Sequence, residues 1–232
     1  MLVPLMMFLL LIGCGGEDNS ATDKIIGNND LKPIEIHYSS INAIGLMRRC
    51  TASHLGSGYV LTSGHCLGRT FTKSIQINAK CNSHSFDIKW GVTERTPRGV
   101  LTSQCQSIVM REYNRLRDYA VIRVLPYPRA ALSIDSTVTP WPNRVRIVSY
   151  PKGRFLETSD FCSIALYWGR LNYTCDTEAG SSGAPILNSR NQIIGVHNFE
   201  SFDRNGGTLL RDTELSKVLQ GNSLIVPQKF SL

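Results

Sequence analysis

Short apolar or alternating stretches recur along this chain, punctuated by Gly, Pro, Asn and Ser. Residues 44–47, 59–61, 74–77, 86–90, 107–110, 119–124, 144–148, 163–168, 184–187 and 192–197 read as strands between turns. One stretch alone has helical spacing: residues 213–220, where Leu215, Val218 and Leu219 share a face. Many short strands with almost no helix indicate an all-β sandwich or barrel. The roughly 200 residues involved are enough for one all-β domain or a double barrel with a sizeable core.

The first residues follow a different pattern. Met1 through Ile12 carries no charged side chain and is almost wholly apolar, which suits the apolar core of a signal peptide and is too short for a spanning helix of about 20 residues. It ends in L-I-G-C at Leu11 to Cys14, a sequence that resembles the lipobox of bacterial lipoproteins, in which the cysteine is lipidated. A basic segment ahead of the apolar run is missing, and an ordinary secretory signal with an incidental cysteine is the alternative. Residues 15–24 have nothing apolar to bury and read as a flexible spacer or short propeptide. The expected organisation is a signal over 1–14, a spacer over 15–24 and a folded body over 25–232. The product is exported from a bacterial cell, either anchored through Cys14 or released as a secreted or periplasmic protein.

Charge narrows the partners. The chain carries +7, and without residues 1–24, which hold one Lys and three acidic residues, the body carries +9. Such an excess brings nucleic acid into consideration. The bases are scattered, however, at Arg48, Arg49, Lys80, Arg95, Arg98, Arg111, Arg115, Arg117, Arg144, Arg146 and Arg154, with no basic run interleaved with aromatics. A generally basic surface and no nucleic-acid partner is the reading.

Of the seven cysteines, Cys14 is set aside for lipid. An even number in an exported chain favours disulfides, and spacing alone leaves about 15 connectivities open for six cysteines. Zinc is disfavoured, because no C-x-x-C or H-x-x-x-H pair occurs and the histidines are dispersed. Neither a metal nor a cofactor is expected.

The candidate chemistry lies in three segments. Cys175 to Pro185 reads C-D-T-E-A-G-S-S-G-A-P. Gly180, Gly183 and Pro185 around Ser182 let the backbone turn sharply enough to aim the Gly180 and Ser182 N–H groups at one point beside the Ser182 hydroxyl. That is an oxyanion hole next to a nucleophile. Such residues also make ordinary surface turns. Leu61 to Cys66 reads L-T-S-G-H-C and places His65 after an apolar strand, while R-D-Y-A-V-I-R-V from Arg117 places Asp118 at the mouth of a buried one. The chain order His65, Asp118, Ser182 is that of the chymotrypsin-type arrangement and differs from subtilisins and α/β-hydrolases. Asp87, in F-D-I-K-W, is the competing carboxylate for orienting His65.

The segments T-S-G-H-C, D-Y-A-V-I and G-S-S-G-A-P resemble the His, Asp and Ser motifs of the trypsin-like serine proteases. More narrowly, the chain resembles bacterial glutamyl endopeptidases. That likeness is carried by I-I-G-N-N-D (25–30) as a mature amino terminus, D-T-x-x-G-x-S-G-x-P (176–185), G-V-H-N (195–198) and G-T-L-L (207–210). It covers about residues 25 to 220. It departs at Ala184, where Ser or Gly is common, and at Asn198, Phe199 and Glu200, where glycines are usual. The resemblance implies two six-stranded antiparallel β-barrels with a short C-terminal helix, one over about 25–125 and one over about 143–212, joined by a crossing near residues 126–142. It implies disulfides Cys50–Cys66 and Cys162–Cys175, which leaves Cys81 for Cys105. It also implies a monomer acting on protein or peptide substrates without a cofactor.

For the substrate pocket the resemblance points two ways. Asp176, six residues before Ser182, stands where a trypsin-like enzyme carries the carboxylate that selects Arg or Lys. Thr177 and His197 stand where glutamyl endopeptidases contact a substrate carboxylate. Cleavage after Glu is expected, with Glu200 as the residue that would repel a glutamate if it reached the pocket. A protease-like fold that only binds a partner is the other class of function. An esterase is disfavoured, because Ser182 lacks the G-x-S-x-G strand-to-helix context.

Overall fold

The computed structural model describes residues 25–34, 39–81, 87–135, 144–167, 170–200 and 204–215. The apolar signal, Cys14 and the spacer lie outside these residues. So do Phe86, Trp168, part of the crossing segment and, beyond Glu214 and Leu215, the expected helix.

Two closed six-stranded antiparallel barrels make up the body, and they correspond to the fold that the resemblance implies. The first is built from β2 (Ile44–Met47), β3 (Cys50–Gly56), β4 (Tyr59–Thr62), β6 (Ile88–Trp90), β7 (Leu101–Tyr113) and β8 (Asp118–Leu125). It runs β7-β6-β2-β3-β4-β8 and closes through the β7–β8 ladder, with β5 (Gln76–Lys80) laid against the outer half of β7. The second uses β9 (Arg144–Ser149), β11 (Cys162–Tyr167), β12 (Arg170–Tyr173), β15 (Asn205–Leu209), β14 (Ile193–Glu200) and β13 (Pro185–Leu187). It closes through β13–β9. Two short strands, β10 (Glu157–Thr158) and β1 (Lys32–Pro33), extend it at β9, so the start of the body docks on the second barrel.

The apolar pattern follows from this layout. Inside the first barrel lie Met47, Val60, Trp90, Ile108, Ile122 and Val124; inside the second lie Val145, Ile147, Leu171, Tyr173, Ile186 and Ile194. A third core fills the seam between them, with Leu61, Tyr119 and Val121 from one side and Val148, Leu187 and Val196 from the other. Strand β8 therefore buries both faces, one in its barrel and one in the seam. That is why D-Y-A-V-I-R-V reads as a nearly continuous apolar run rather than an alternating one.

Sequence pattern missed β3, β12 and β15. In β3 the polar Thr51, Ser53 and His54 are buried; the Thr51 hydroxyl donates to Gly180 O (3.0 Å) and the His54 ring meets Ala130 O and Gly58 N–H, whereas Ser53 Oγ has no hydrogen-bond partner among the described residues. In β15 the glycines are needed for close approach. A Cβ at Gly206 would lie 2.3 Å from the Phe199 ring, and one at Gly207 would lie 2.2 Å from Val196 O.

Candidate active site

Strand β4 ends at Thr62, and after Ser63 the chain turns through a short 3-10 segment, Gly64–Leu67, that carries His65. Gly64 has no room for a side chain, since a Cβ there would meet Glu112 O at 2.6 Å and Asp118 Oδ1 at 3.1 Å. This closeness lets Asp118 hold the loop twice. Its Oδ1 accepts the His65 backbone N–H (2.9 Å), and its Oδ2 accepts from His65 Nδ1 (2.6 Å). With Nδ1 donating, Nε2 is left as a bare acceptor.

Asp118 is itself held from the second barrel. Its N–H donates to Thr208 Oγ1 (2.9 Å), while Asn198 Nδ2 donates to Asp118 O (2.7 Å) and to Thr208 Oγ1 (2.7 Å). Asn198 and Thr208 thus have a task that motif matching did not reveal. Asp87 is exposed next to β6.

Arg111 corrects the picture of a wholly superficial set of bases. It is buried, and its guanidinium donates to Gly64 O (2.8 Å), Gly68 O, Thr70 O (3.1 Å) and Gln76 Oε1 (3.1 Å). The side chain clamps the His65 loop from below. Burial lowers its pKa, and the charge of Asp118 works in the opposite direction.

The Ser182 turn is fixed by its own backbone. Ser181 N–H donates to Glu178 O and Ala184 N–H to Ser181 O, both at 2.9 Å. Gly180 and Gly183 adopt φ of +102° and +85°. A Cβ at Gly183 would lie 2.2 Å from Thr51 O, so this position admits only glycine. Thr51 N–H donates to Ser182 O (2.7 Å), and Cys66 Sγ lies 3.9 Å from the same oxygen. The Cys50–Cys66 disulfide, with S–S at 2.01 Å, joins β3 to the His65 loop. Ser182 is thereby brought beside that loop and stays half-buried. Among the described residues, neither the Gly180 nor the Ser182 N–H has a partner. Disulfides also join Cys81 to Cys105 and Cys162 to Cys175.

The three residues singled out for the pocket separate. The Asp176 carboxylate is buried beneath the amino-terminal segment, where Oδ1 accepts Ile26 N–H (2.6 Å) and Oδ2 accepts Asp30 N–H (2.8 Å). Thr177 is fully buried, and its Oγ1 has no hydrogen-bond partner among the described residues. His197 is buried in β14 with Nδ1 2.5 Å from the Tyr173 hydroxyl. Burial lowers the pKa of His197 to about 3, and the charge of His65 pushes the same way. The Tyr173 hydroxyl is raised by burial and by the charge of Glu200. Arg170 lies 4.6 Å over the Phe199 ring.

A second histidine is buried neutral. His54 Nδ1 lies 2.6 Å from Ala130 O, and Gly58 N–H donates to its Nε2 (3.1 Å); burial lowers its pKa, against the hydrogen bond to Ala130 O, which raises it. The sign follows from proton binding: unfolded His takes a proton near pH 6.5, while the folded rings do so only at lower pH, about 3 for His197. Stability is full above about pH 6.5 and falls on acidification below it. Urea unfolding at pH 7.5 and pH 5 should show a lower midpoint at pH 5, and His54→Gln should narrow the gap. Equal midpoints in the wild type would refute this.

Among the described residues, one cluster has three potential metal donors within 4.8 Å of one another, Cys50, His65 and Cys66. Its two sulfurs are joined in a disulfide and offer no thiolate.

Comparison with known proteins agrees with this architecture. Residues 50–196 match the trypsin-like peptidase domain, and the chain belongs to this family of serine endopeptidases. It is 24% identical over 202 residues to a glutamyl endopeptidase of Staphylococcus epidermidis, the match taking in 78% of this chain and 68% of that protein. Among solved structures, a Glu endopeptidase in complex with MPD superposes with a TM-score of 0.65 at 19% identity, covering 85% of this chain and 98% of that one. The inactive form of the Rv3671c protease of M. tuberculosis gives 0.56 at 14% identity over 79% and 91% of the two chains.

Proposed function

We propose that this endopeptidase cleaves on the carboxyl side of glutamate by acyl transfer through Ser182. Asp118 holds the His65 Nδ1 proton, so Nε2 is free to take the proton of Ser182 Oγ as that oxygen attacks the scissile carbonyl. The oxyanion is received by the N–H groups of Gly180 and Ser182. His65 then returns the proton to the leaving amine, and water repeats the sequence on the acyl-enzyme.

The observation that carries the glutamate preference is the fate of Asp176. Buried, and with each oxygen already accepting a backbone N–H group, Asp176 is poorly placed to receive Lys or Arg. The neighbouring Thr177 hydroxyl is buried without a partner, a situation that costs about 1–3 kcal/mol and is relieved by a carboxylate guest. When Tyr173 donates to His197 Nδ1, Nε2–H becomes a second donor for that guest. Cleavage after Lys24 would free the Ile25 amine one residue from the Ile26 N–H that Asp176 binds, adding positive charge near Thr177. Amino-terminal sequencing of the active protein should then begin at Ile25; a start at Cys14 would favour a lipid-tethered active form. Three disulfides fit export into an oxidising compartment.

Glu200 supports a second reading, cleavage after Lys or Arg, because its charge acts on Tyr173 beside His197. A peptide library varied only at the residue before the scissile bond separates the two. Glutamate should lead, and His197→Ala should lower kcat/KM for it by about 10–100-fold, the value of a hydrogen bond to a charged group. A preference for Lys or Arg that Glu200→Gln removes would establish the second reading instead.

A further inference from the structure

The oxyanion segment presents a difficulty that the triad does not resolve. In a trypsin the residue before the nucleophile is an aspartate that a new amino terminus pairs with. Here that residue is Ser181, a neutral side chain whose Oγ lies 2.9 Å from Ser149 Oγ and accepts Glu178 N–H at 3.3 Å. Something else must keep the Gly180 N–H directed outward, because nothing inside the turn binds it.

The charge in this turn sits three residues earlier in the chain than Ser181, at Glu178. The Glu178 side chain is 8% exposed, and its carboxylate is held from both sides by one loop: Lys152 Nζ reaches Oε1 at 3.2 Å, and an Arg154 guanidinium nitrogen reaches Oε2 at 2.5 Å. The same loop meets the turn through its backbone, with Lys152 N–H donating to Ala179 O. It turns sharply through Lys152 at φ +51° and Gly153 at φ +70°. Its other end is tied to β3, since Tyr150 N–H donates to Thr51 Oγ1 (3.1 Å) and that hydroxyl donates to Gly180 O (3.0 Å). Both carbonyls of the Ala179–Gly180 pair are therefore occupied from behind. With those oxygens fixed, the peptide plane that carries the Gly180 N–H cannot rotate without breaking a bond to the loop, and the glycine holds φ +102° only 2.5 Å, at the site of an added Cβ, from Tyr150 O.

We infer that Glu178 is a positioning residue: bound by Lys152 and Arg154, it locks the oxyanion hole in its working form and replaces the amino-terminal ion pair used by trypsins. This rests on the assignment of Ser182, Gly180 and His65 made above. Glu178 touches neither substrate nor reacting atoms. It acts by holding the backbone that does.

The test compares wild type with Glu178→Gln, with Lys152→Met/Arg154→Met, and with all three changes combined. Removing a single oxyanion donor costs about 100–1,000-fold in kcat, and a loosened one should cost part of that, about 10–100-fold, with KM within about threefold of wild type. Affinity for a peptide aldehyde, whose oxygen occupies the oxyanion position in the adduct, should fall in parallel with kcat, while inhibition by the cleaved product peptide should not change. The combined variant should be no slower than the worse of the other two, because all three side chains serve one lock. Lys152 and Arg154 are nearly half exposed, so their replacement tests the lock even if Glu178→Gln fails to fold. Unchanged kcat and aldehyde affinity in the Lys152/Arg154 variant would overturn the inference, as would equal losses in aldehyde and product binding. Labelling by an organophosphonate keeps the two levels apart. If Ser182 is not the residue labelled, the assignment of the site fails; if it is labelled and the variants keep full kcat, only the lock fails.

Discussion

Replacing Ser182 with Ala is expected to lower kcat by about 10⁶-fold while leaving the folded state intact. Almost all the bonds that hold this turn are made by other atoms. Ser182 contributes its carbonyl oxygen to Thr51 N–H, and the flanking bonds run through Ser181, Gly183 and Ala184, none of which uses the Ser182 hydroxyl. Removing Oγ therefore deletes the proposed nucleophile and little else. What remains is a substrate held beside two free N–H groups, which accounts for a residual rate about 10³–10⁴ above that in water. Single-turnover hydrolysis of a glutamyl peptide, with thermal unfolding recorded in parallel, provides the check. A rate well above that residual, free of contaminant protease, in a variant with an unchanged melting temperature would show that another residue carries the chemistry.

The parts legible in the sequence were those whose chemistry is local. Buried strands such as β8 announce themselves because both faces are covered, and the His65, Asp118 and Ser182 segments each pack an unusual backbone demand into a few residues: Gly64 where Glu112 O crosses, Gly183 where Thr51 O crosses. What stayed hidden depended on partners far along the chain. Strand β3 goes unpredicted because its buried Thr51 and His54 are polar, and their partners Gly180 and Ala130 lie far along the chain. Arg111 reads as one more surface base until the carbonyls of the His65 loop are placed around it. Asp176 reads as a pocket floor because six residues separate it from Ser182, yet the N–H groups of Ile26 and Asp30, some 150 residues away, settle where its carboxylate points. Spacing along the chain locates a residue; it does not say which long-range donor reaches it first.

Asp118→Asn should lower kcat by about 10⁴-fold with little change in KM. The carboxylate accepts two N–H groups, one from the His65 backbone and one from its ring, and two acceptor oxygens are required for that. Asparagine offers one oxygen and one NH₂. If its oxygen keeps the backbone N–H, the NH₂ faces Nδ1 and can only donate, so the ring must place its proton on Nε2, the atom that has to receive the Ser182 proton. If the amide is reversed, the His65 backbone N–H meets a donor and the loop is pushed away. Either arrangement disables the base. The fold should survive, because Asp118 is tied to the second barrel through its backbone, by Thr208 Oγ1 at its N–H and Asn198 Nδ2 at its carbonyl, and those bonds do not involve the carboxylate. Asp87→Asn, at an exposed position beside β6, should behave as wild type. Steady-state rates for the two variants decide between the carboxylates: a near-normal Asp118→Asn with a slow Asp87→Asn would mean that His65 is oriented by the other one.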